Sequence, residues 1–302
     1  MPPAPTDRDD LAARILPQMI LSDGTASSLT SPPAPSPNHL SGEEQAKLRF
    51  AVKGNAIVTG GAGALGILAS RALLQHGLSG IMIFDVNPQQ IQAALTELTV
   101  DFPLATIAAR AVDITDEKAV NEAILETGEL LGSVDILLCF AGVVACTHAL
   151  EMTAAEWRRT LDINTTGSFL VAQAVAKVMV KQGTGGCIVF TASISGHRVN
   201  FPQPQVAYNV SKAALLTMKN CLAAEWARYG IRCNSISPGY MDTILNEGPG
   251  LAEARITWAS RNPMGRMGTP SELTGSIILL CSHAGTYING ADIVVDGGAI
   301  VF

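Results

Sequence analysis

From Phe50 onward, short apolar runs alternate with longer segments whose apolar residues recur at three- and four-residue intervals. The runs NAIVT, GIMIFD, TIAARAVD, VDILLCF, GCIVFTAS, IRCNSIS and DIVVDG read as strands. Between them the spacing predicts helices near 64 to 77, 88 to 100, 116 to 131, 154 to 181, 206 to 229 and 270 to 283. Strands this apolar cannot keep one face in water, and strands separated by helices pair in parallel, so the sheet must be covered on both sides. The expected fold is therefore α/β, a single doubly wound parallel-sheet domain over residues 49 to 302, with no internal repeat beyond the βα alternation. Residues 1 to 48 break the pattern. The run TASSLTSPPAPSPNHLSG is rich in Ser, Pro and Ala without periodic hydrophobics, which predicts a mobile N-terminal extension. A short helix through LAARILPQMIL is compatible with the spacing, interrupted at Pro17.

Composition narrows the function classes. Hydrophobic residues make up 48% of the 302 and charged residues 15%, enough apolar material for a sizeable core. A net charge of -6 without a basic cluster argues against nucleic acid or an anionic membrane as partner and suits a small neutral substrate. Cysteines 139, 146, 187, 221, 233 and 281 lie scattered in apolar segments without CxxC spacing, so buried free thiols are expected and no metal site. No apolar run reaches the ~18 residues of a membrane span. The N-terminus lacks a secretory pattern, and Arg8 and Arg14 lie among Asp7, Asp9 and Asp10, unlike a mitochondrial presequence. A reducing, cytoplasmic setting is the expectation.

The first strand runs into IVTGGAGALG and then an apolar helix. Gly61, Gly63 and Gly66 fit G-x-G-x-x-G, while Thr59, Gly60, Ala64 and Gly66 fit T-G-x-x-x-A-x-G. Such glycines let backbone N–H groups approach a pyrophosphate at the positive end of a helix, which predicts dinucleotide binding. The second strand ends at Asp85, about 20 residues on, where a carboxylate can accept from ribose hydroxyls and repel a 2′-phosphate. Neither Gly63 nor Val86 and Asn87 is basic, so NAD is expected over NADP, which stays open. Asp113 could face the adenine, whereas Asp116 reads as a helix cap.

Tyr208 and Lys212 open the long helix AYNVSKAALLTMKNCLAAEWARYG four residues apart, on one face. A cation beside a phenol that ionises near pH ~10 favours phenolate and brings proton transfer closer to neutrality. With the glycine turn and Asp85 in the same order, the chain from about residue 50 resembles a short-chain dehydrogenase/reductase. LDINTTGSFL carries the family's helix asparagine at Asn164, GCIVFTASISG its serine strand, and SPGYMDT the segment that closes over the nicotinamide. The runs TASISGHRVNFPQPQVAYNVSKAA, EWARYGIRCNSISPGYMDT, NPMGRMG and NGADIVVDGG are similar to fungal polyol dehydrogenases and ketose reductases, the group that includes D-arabinitol 2-dehydrogenase and L-xylulose or sorbose reductases.

That resemblance implies a Rossmann domain, a homotetramer and reversible hydride transfer between a polyol alcohol and nicotinamide, with Asn164, Ser193, Tyr208 and Lys212 as the catalytic set. Tyr208 would take the hydroxyl proton, Ser193 orient the substrate oxygen, Lys212 also reach the nicotinamide ribose, and Asn164 hold a water. It implies cofactor contacts from Gly60, Gly61, Ala62, Ala64, Leu65, Gly66, Asp85, Val86, Asp113, Ile114, Ala141, Gly142, Pro238, Gly239, Met241 and Thr243 as well. Two departures stand out. Cys139, Phe140, Ala141 and Gly142 replace the family's N-N-A-G, so the asparagine that ties neighbouring strands is missing. The strand register favours Ser193 as the catalytic serine, while the commoner interval to the tyrosine gives Ser195; alternation along an extended strand would put both on one face. Polar candidates for sugar hydroxyls are Ser195, His197, Gln205, Asn246 and Glu247, and the variable stretch from Tyr240 to Gly268 should select the substrate. Met241, Met264 and Met267 read as packing or lid contacts. Rival readings are an NADPH-linked ketose reductase or mannitol dehydrogenase, a reductase of non-sugar ketones, and a cofactor-sensing protein without turnover.

Overall fold

The computed structural model describes residues 14 to 35 and 37 to 301. Among the described residues, seven strands pair in parallel in one sheet. They are β1 (Asn55–Thr59), β2 (Gly80–Asp85), β3 (Thr106–Ala111), β4 (Ile136–Cys139), β5 (Gly186–Thr191), β6 (Ile231–Pro238) and β7 (Asp292–Val295), in the order β3-β2-β1-β4-β5-β6-β7. The strand order reverses between β1 and β4, and in open α/β sheets the crevice at the strands' carboxyl ends there is where ligands sit. Two apolar cores, one on each face, hold the sheet. One gathers Val58, Ile81, Ile83, Leu138 and Val189, the other Ile57, Phe84, Leu137, Ile188 and Phe190. Each such side chain contributes roughly 1.5–3 kcal/mol on burial.

The helices begin and end for local reasons. α1 (Gly42–Arg49) is opened by Ser41, which forms a reciprocal capping box with Glu44. α2 (Ala64–Gln75) follows the glycine turn. Asn87 caps α3 (Pro88–Asp101), which has Pro at its first position, and Asp116 caps α4 (Glu117–Leu131) by accepting from the Ala119 N–H, as its position suggested. α5 (Ala154–Leu161) continues through a π-helical turn, Asp162–Gly167, into α6 (Ser168–Gln182). α7 (Val206–Trp226), α8 (Ala252–Ser260) and α9 (Thr274–Cys281) complete the set.

Several boundaries differ from the sequence reading. β3 stops at Ala111 because Asp113 turns the chain, accepting from both the N–H and the hydroxyl of Thr115. No helix forms over residues 14 to 21, and residues 11 to 13 of that expectation lie outside the described residues, as does the rest of the extension's beginning. The capping box of α1, which begins inside the segment read as a mobile extension, is the feature the pattern missed. The combined helix from Ala154 to Gln182 is 29 residues long with a mean hydropathy of 1.2 over its most apolar window, enough by length and composition to cross a membrane. Half of that window is buried in the protein, where Val171, Ala172, Val175 and Met179 belong to the second core.

Candidate active site

At the switch point the glycine turn makes a cradle that side chains would fill. Gly60 has φ +63°, and a Cβ there would stand 2.6 Å from the Ala141 nitrogen. On Gly66 it would meet the Gly61 Cα at 2.6 Å. No side chain caps α2 at Gly63, so the N–H groups of Ala64, Leu65 and Gly66 remain available at the positive end of the helix. This arrangement fits the pyrophosphate of a dinucleotide. The Ala62 N–H is already engaged, donating to Asp85 at 3.2 Å. The other Asp85 oxygen accepts from Val86 and Asn87 at 2.8 and 3.2 Å, which holds the carboxylate at the strand end where a ribose would lie. Gly66→Val should abolish cofactor binding or folding, read by NADH fluorescence titration and a thermal melt. Full NADH affinity in the variant would contradict the close packing.

The missing strand-tying asparagine is replaced by backbone. Phe140 N–H donates to the Thr59 carbonyl at 2.9 Å and Ala141 N–H to the Thr59 hydroxyl at 3.4 Å, while Phe140 itself packs against the first core. Beyond it, Gly142 leaves an approach to α7: a Cβ would sit 3.2 Å from Asn164 Oδ1 and 3.7 Å from Lys212 Nζ.

The π-helical turn places Asn164, fully buried, against the loop after β4. Its oxygen accepts from Val143 N–H at 2.8 Å, and its nitrogen donates to the Val143 carbonyl and to Ser211 Oγ, both at 2.9 Å. Both amide protons are thus occupied, and Asn164 clamps the loop to α7. Lys212 is 6% exposed and donates to the Thr191 carbonyl at 2.7 Å. Burial pushes its ammonium down to about 8, with Cys139 opposing. Its Nζ lies 5.6 Å from the centre of the Tyr208 ring.

Burial raises the Tyr208 phenol to about 12, opposed by its hydrogen bond with Ser193 and reinforced by Tyr240 and Cys146 nearby. The expected phenol near neutrality is therefore not a property of the chain alone, because desolvation disfavours phenolate more than Ser193 favours it. Ser193 is the serine paired with Tyr208; Ser195 lies one step behind, with 3.1 Å between the two hydroxyls. They meet for a reason other than the one expected. β5 ends at Thr191, and Ser193 caps a short 3₁₀ turn by accepting from the Ser195 N–H at 3.1 Å, so strand alternation does not apply.

The remaining candidates separate. His197 Nε2 faces Asp292 at 2.9 Å and Ser237 at 3.2 Å, so its ring is tied to β6 and β7. Asn246 donates to the Met241 carbonyl at 2.8 Å, and Glu247 stands exposed. A Cβ on Gly239 would meet Asp296 Cα at 2.8 Å, giving that glycine a packing reason as well. Met241 is buried against Gly268, Thr243 and Pro238 are buried, Ile114 packs in the second core, and Asp113 is exposed. Gln205 is buried and joins a polar chain that sequence reasoning missed. Its oxygen accepts from Gln203 at 3.3 Å and its amide reaches Cys146 Sγ at 3.1 Å; Gln203 accepts from Trp258 at 3.1 Å and donates to Tyr240 at 3.0 Å. Nothing in local spacing marks Gln203 or Asn200. Among the described residues no cluster of His, Cys, Asp and Glu could hold a metal ion.

A nucleotide cradle at the switch point of a parallel sheet, with buried Lys212 beside half-buried Tyr208 and a serine at the phenol, defines an NAD(P)-dependent oxidoreductase acting on CH–OH groups. The comparisons with known proteins agree. A family model described as enoyl-(acyl carrier protein) reductase matches residues 60–299. The chain is 37% identical over 256 residues to D-arabinitol 2-dehydrogenase [ribulose-forming] of Candida tropicalis, covering 80% of this chain and 90% of that one. It is 34% identical over 252 residues to an NADP-dependent mannitol dehydrogenase of Hypocrea jecorina, covering 82% and 93%. A crystal structure of a short-chain type dehydrogenase/reductase from Mycobacterium marinum superposes with a TM-score of 0.78 at 35% identity, over 84% of this chain and 98% of that one. The chain belongs to the short-chain dehydrogenase/reductase family.

Proposed function

We propose that this enzyme uses NAD to oxidise a secondary alcohol of a polyol, with D-arabinitol as the leading candidate, reversibly to the ketose. The observation that carries the reading is the convergence of half-buried Tyr208 with buried Ser193 and Lys212 beside the nucleotide cradle. The sugar-alcohol names of the relatives support the substrate class. When bound, the nicotinamide cofactor supplies the hydride acceptor and a positive charge beside the phenol. Tyr208 accepts the hydroxyl proton of the substrate, and Ser193 donates to the substrate oxygen where charge develops. Lys212, fixed by the Thr191 carbonyl, stabilises the phenolate and presents its remaining protons toward the gap at Gly142. Asn164 holds that geometry; only the second lone pair of its oxygen remains for a water.

Asp85 supports NAD, and the NADP-dependent relative supports the alternative of NADPH-linked ketose reduction. Asp85→Ser should lower the NAD to NADP ratio of kcat/KM by at least about 10-fold, the worth of a charge-assisted hydrogen bond. An unchanged ratio would remove Asp85 from cofactor choice. Exposed Val180 on α6 and Val206 and Val210 on α7 support a homotetramer paired through those helices, and the free cysteines support a reducing, cytoplasmic setting. Residues 1 to 48 act as an appendage to the catalytic domain of 49 to 302. The deciding experiment is NADH production with D-arabinitol, xylitol, D-sorbitol and D-mannitol, repeated with NADP. Cofactor binding without turnover of any polyol would move the reading to non-sugar ketones or to a sensor.

A further inference from the structure

Behind Ser195 lies a cavity of about 150 Å³, lined by Tyr240, Asn200, Trp258, Arg198 and Arg261 among others. Its polar wall is built rather than incidental. The Tyr240 ring stacks on Trp258 with centroids 4.2 Å apart and planes 7° from parallel, which fixes the direction of the phenol. The indole N–H of Trp258 can only donate, so its bond to Gln203 Oε1 at 3.1 Å fixes that amide and turns its nitrogen to Tyr240 at 3.0 Å. Asn200 Nδ2 donates to the same phenol oxygen at 2.9 Å. In this orientation of the Asn200 amide, two donors fill the lone pairs of the Tyr240 hydroxyl, and its single proton points elsewhere. Beside it Asn200 Oδ1 is buried without a hydrogen-bond partner. A buried acceptor left unmatched is costly, and so is a donor with nowhere to point.

We infer that the Tyr240 proton and Asn200 Oδ1 together form a subsite for a substrate hydroxyl remote from the reacting carbinol. A hydroxyl is the group that accepts and donates at once, so it satisfies both. An alkyl end satisfies neither, a ketone or carboxylate only the first. The site is joined to the chemistry: Ser195 lines the cavity 3.1 Å from Ser193, and Tyr240 is near enough to raise the Tyr208 phenol. The subsite explains how the enzyme selects a polyol over a simple secondary alcohol, and it rests on the polyol reading above. Tyr240 and Asn200 position substrate; neither exchanges a proton with the reacting carbon.

The test uses the full-length enzyme with NAD and three substrates: the best polyol, 2-butanol, and D-gluconate as the anionic control for the two arginines. Tyr240→Phe, which keeps the ring stack, should lower polyol kcat/KM by about 10- to 100-fold, mostly through KM, with NADH affinity unchanged and a lowered thermal midpoint, since Asn200 and Gln203 lose their acceptor. Asn200→Ala should show the same split. Unchanged polyol kcat/KM in both variants overturns the subsite while leaving the polyol reading intact. A wild-type enzyme that oxidises 2-butanol as well as any polyol overturns both; one that prefers gluconate overturns the neutral-polyol reading, and the two variants then decide the subsite with gluconate as substrate.

Discussion

Tyr208→Phe should lower kcat for polyol oxidation by about 10²- to 10⁴-fold, the range that positioned acid–base groups supply. NADH affinity and the melting temperature should stay near those of the parent protein. The phenol ring keeps its packing and only the hydroxyl on Ser193 is lost, so the effect falls on chemistry. The pH profile is informative as well. Because burial holds the phenol near 12 in the chain alone, oxidation should rise with pH toward the alkaline side, the direction in which the base form grows. Retention of more than a tenth of kcat in the variant, with an unaltered profile, would sink Tyr208 as the proton acceptor.

Lys212→Met should have the second large effect, and it should separate activity from stability. Activity falls about 10²-fold or more, and the alkaline limb of oxidation moves upward, because the phenolate loses its cationic neighbour. Stability moves the other way. The ammonium sits at about 8 in the folded chain against 10.5 for an ordinary lysine, so between those values the unfolded state binds more protons and stability rises with pH. Below pH 8 both states are protonated, and the full cost of burying the charge is present, on the order of 3 kcal/mol before the bond to the Thr191 carbonyl is counted. An apolar side chain removes that cost and leaves one carbonyl unpaired. The variant should therefore melt a few degrees higher at pH 7, and the difference should shrink as pH rises from 8 to 10.5. A variant less stable than the parent at pH 7 would show that the Thr191 bond outweighs desolvation.

The sequence by itself determined the alternation that makes a parallel sheet, because the apolar runs and helical spacings are local and each strand must be covered on both faces. It determined the glycine turn, since Gly60 at φ +63° and Gly66 against Gly61 meet requirements the motif already encodes. It located the Tyr–Lys pair, whose spacing on α7 is a property of helix geometry.

Only the tertiary structure decided the rest. The pairing of Ser193 with Tyr208 joins elements fifteen residues apart through a 3₁₀ turn that the strand pattern hid. Asn164 became a clamp on Val143 and Ser211 because a π-helical turn, invisible in the spacing, redirects it. His197 and Asn246 looked free as polar loop residues, yet Asp292 and the Met241 carbonyl engage them across the fold. The direction of each pKa shift follows from burial, which no local pattern specifies: the phenol that a neighbouring cation should lower is raised, since the same interior desolvates both groups. The Tyr240, Gln203, Asn200 and Trp258 network joins the loop before α7 to the segment after β6, so its meaning exists only where the folded chain brings those segments together.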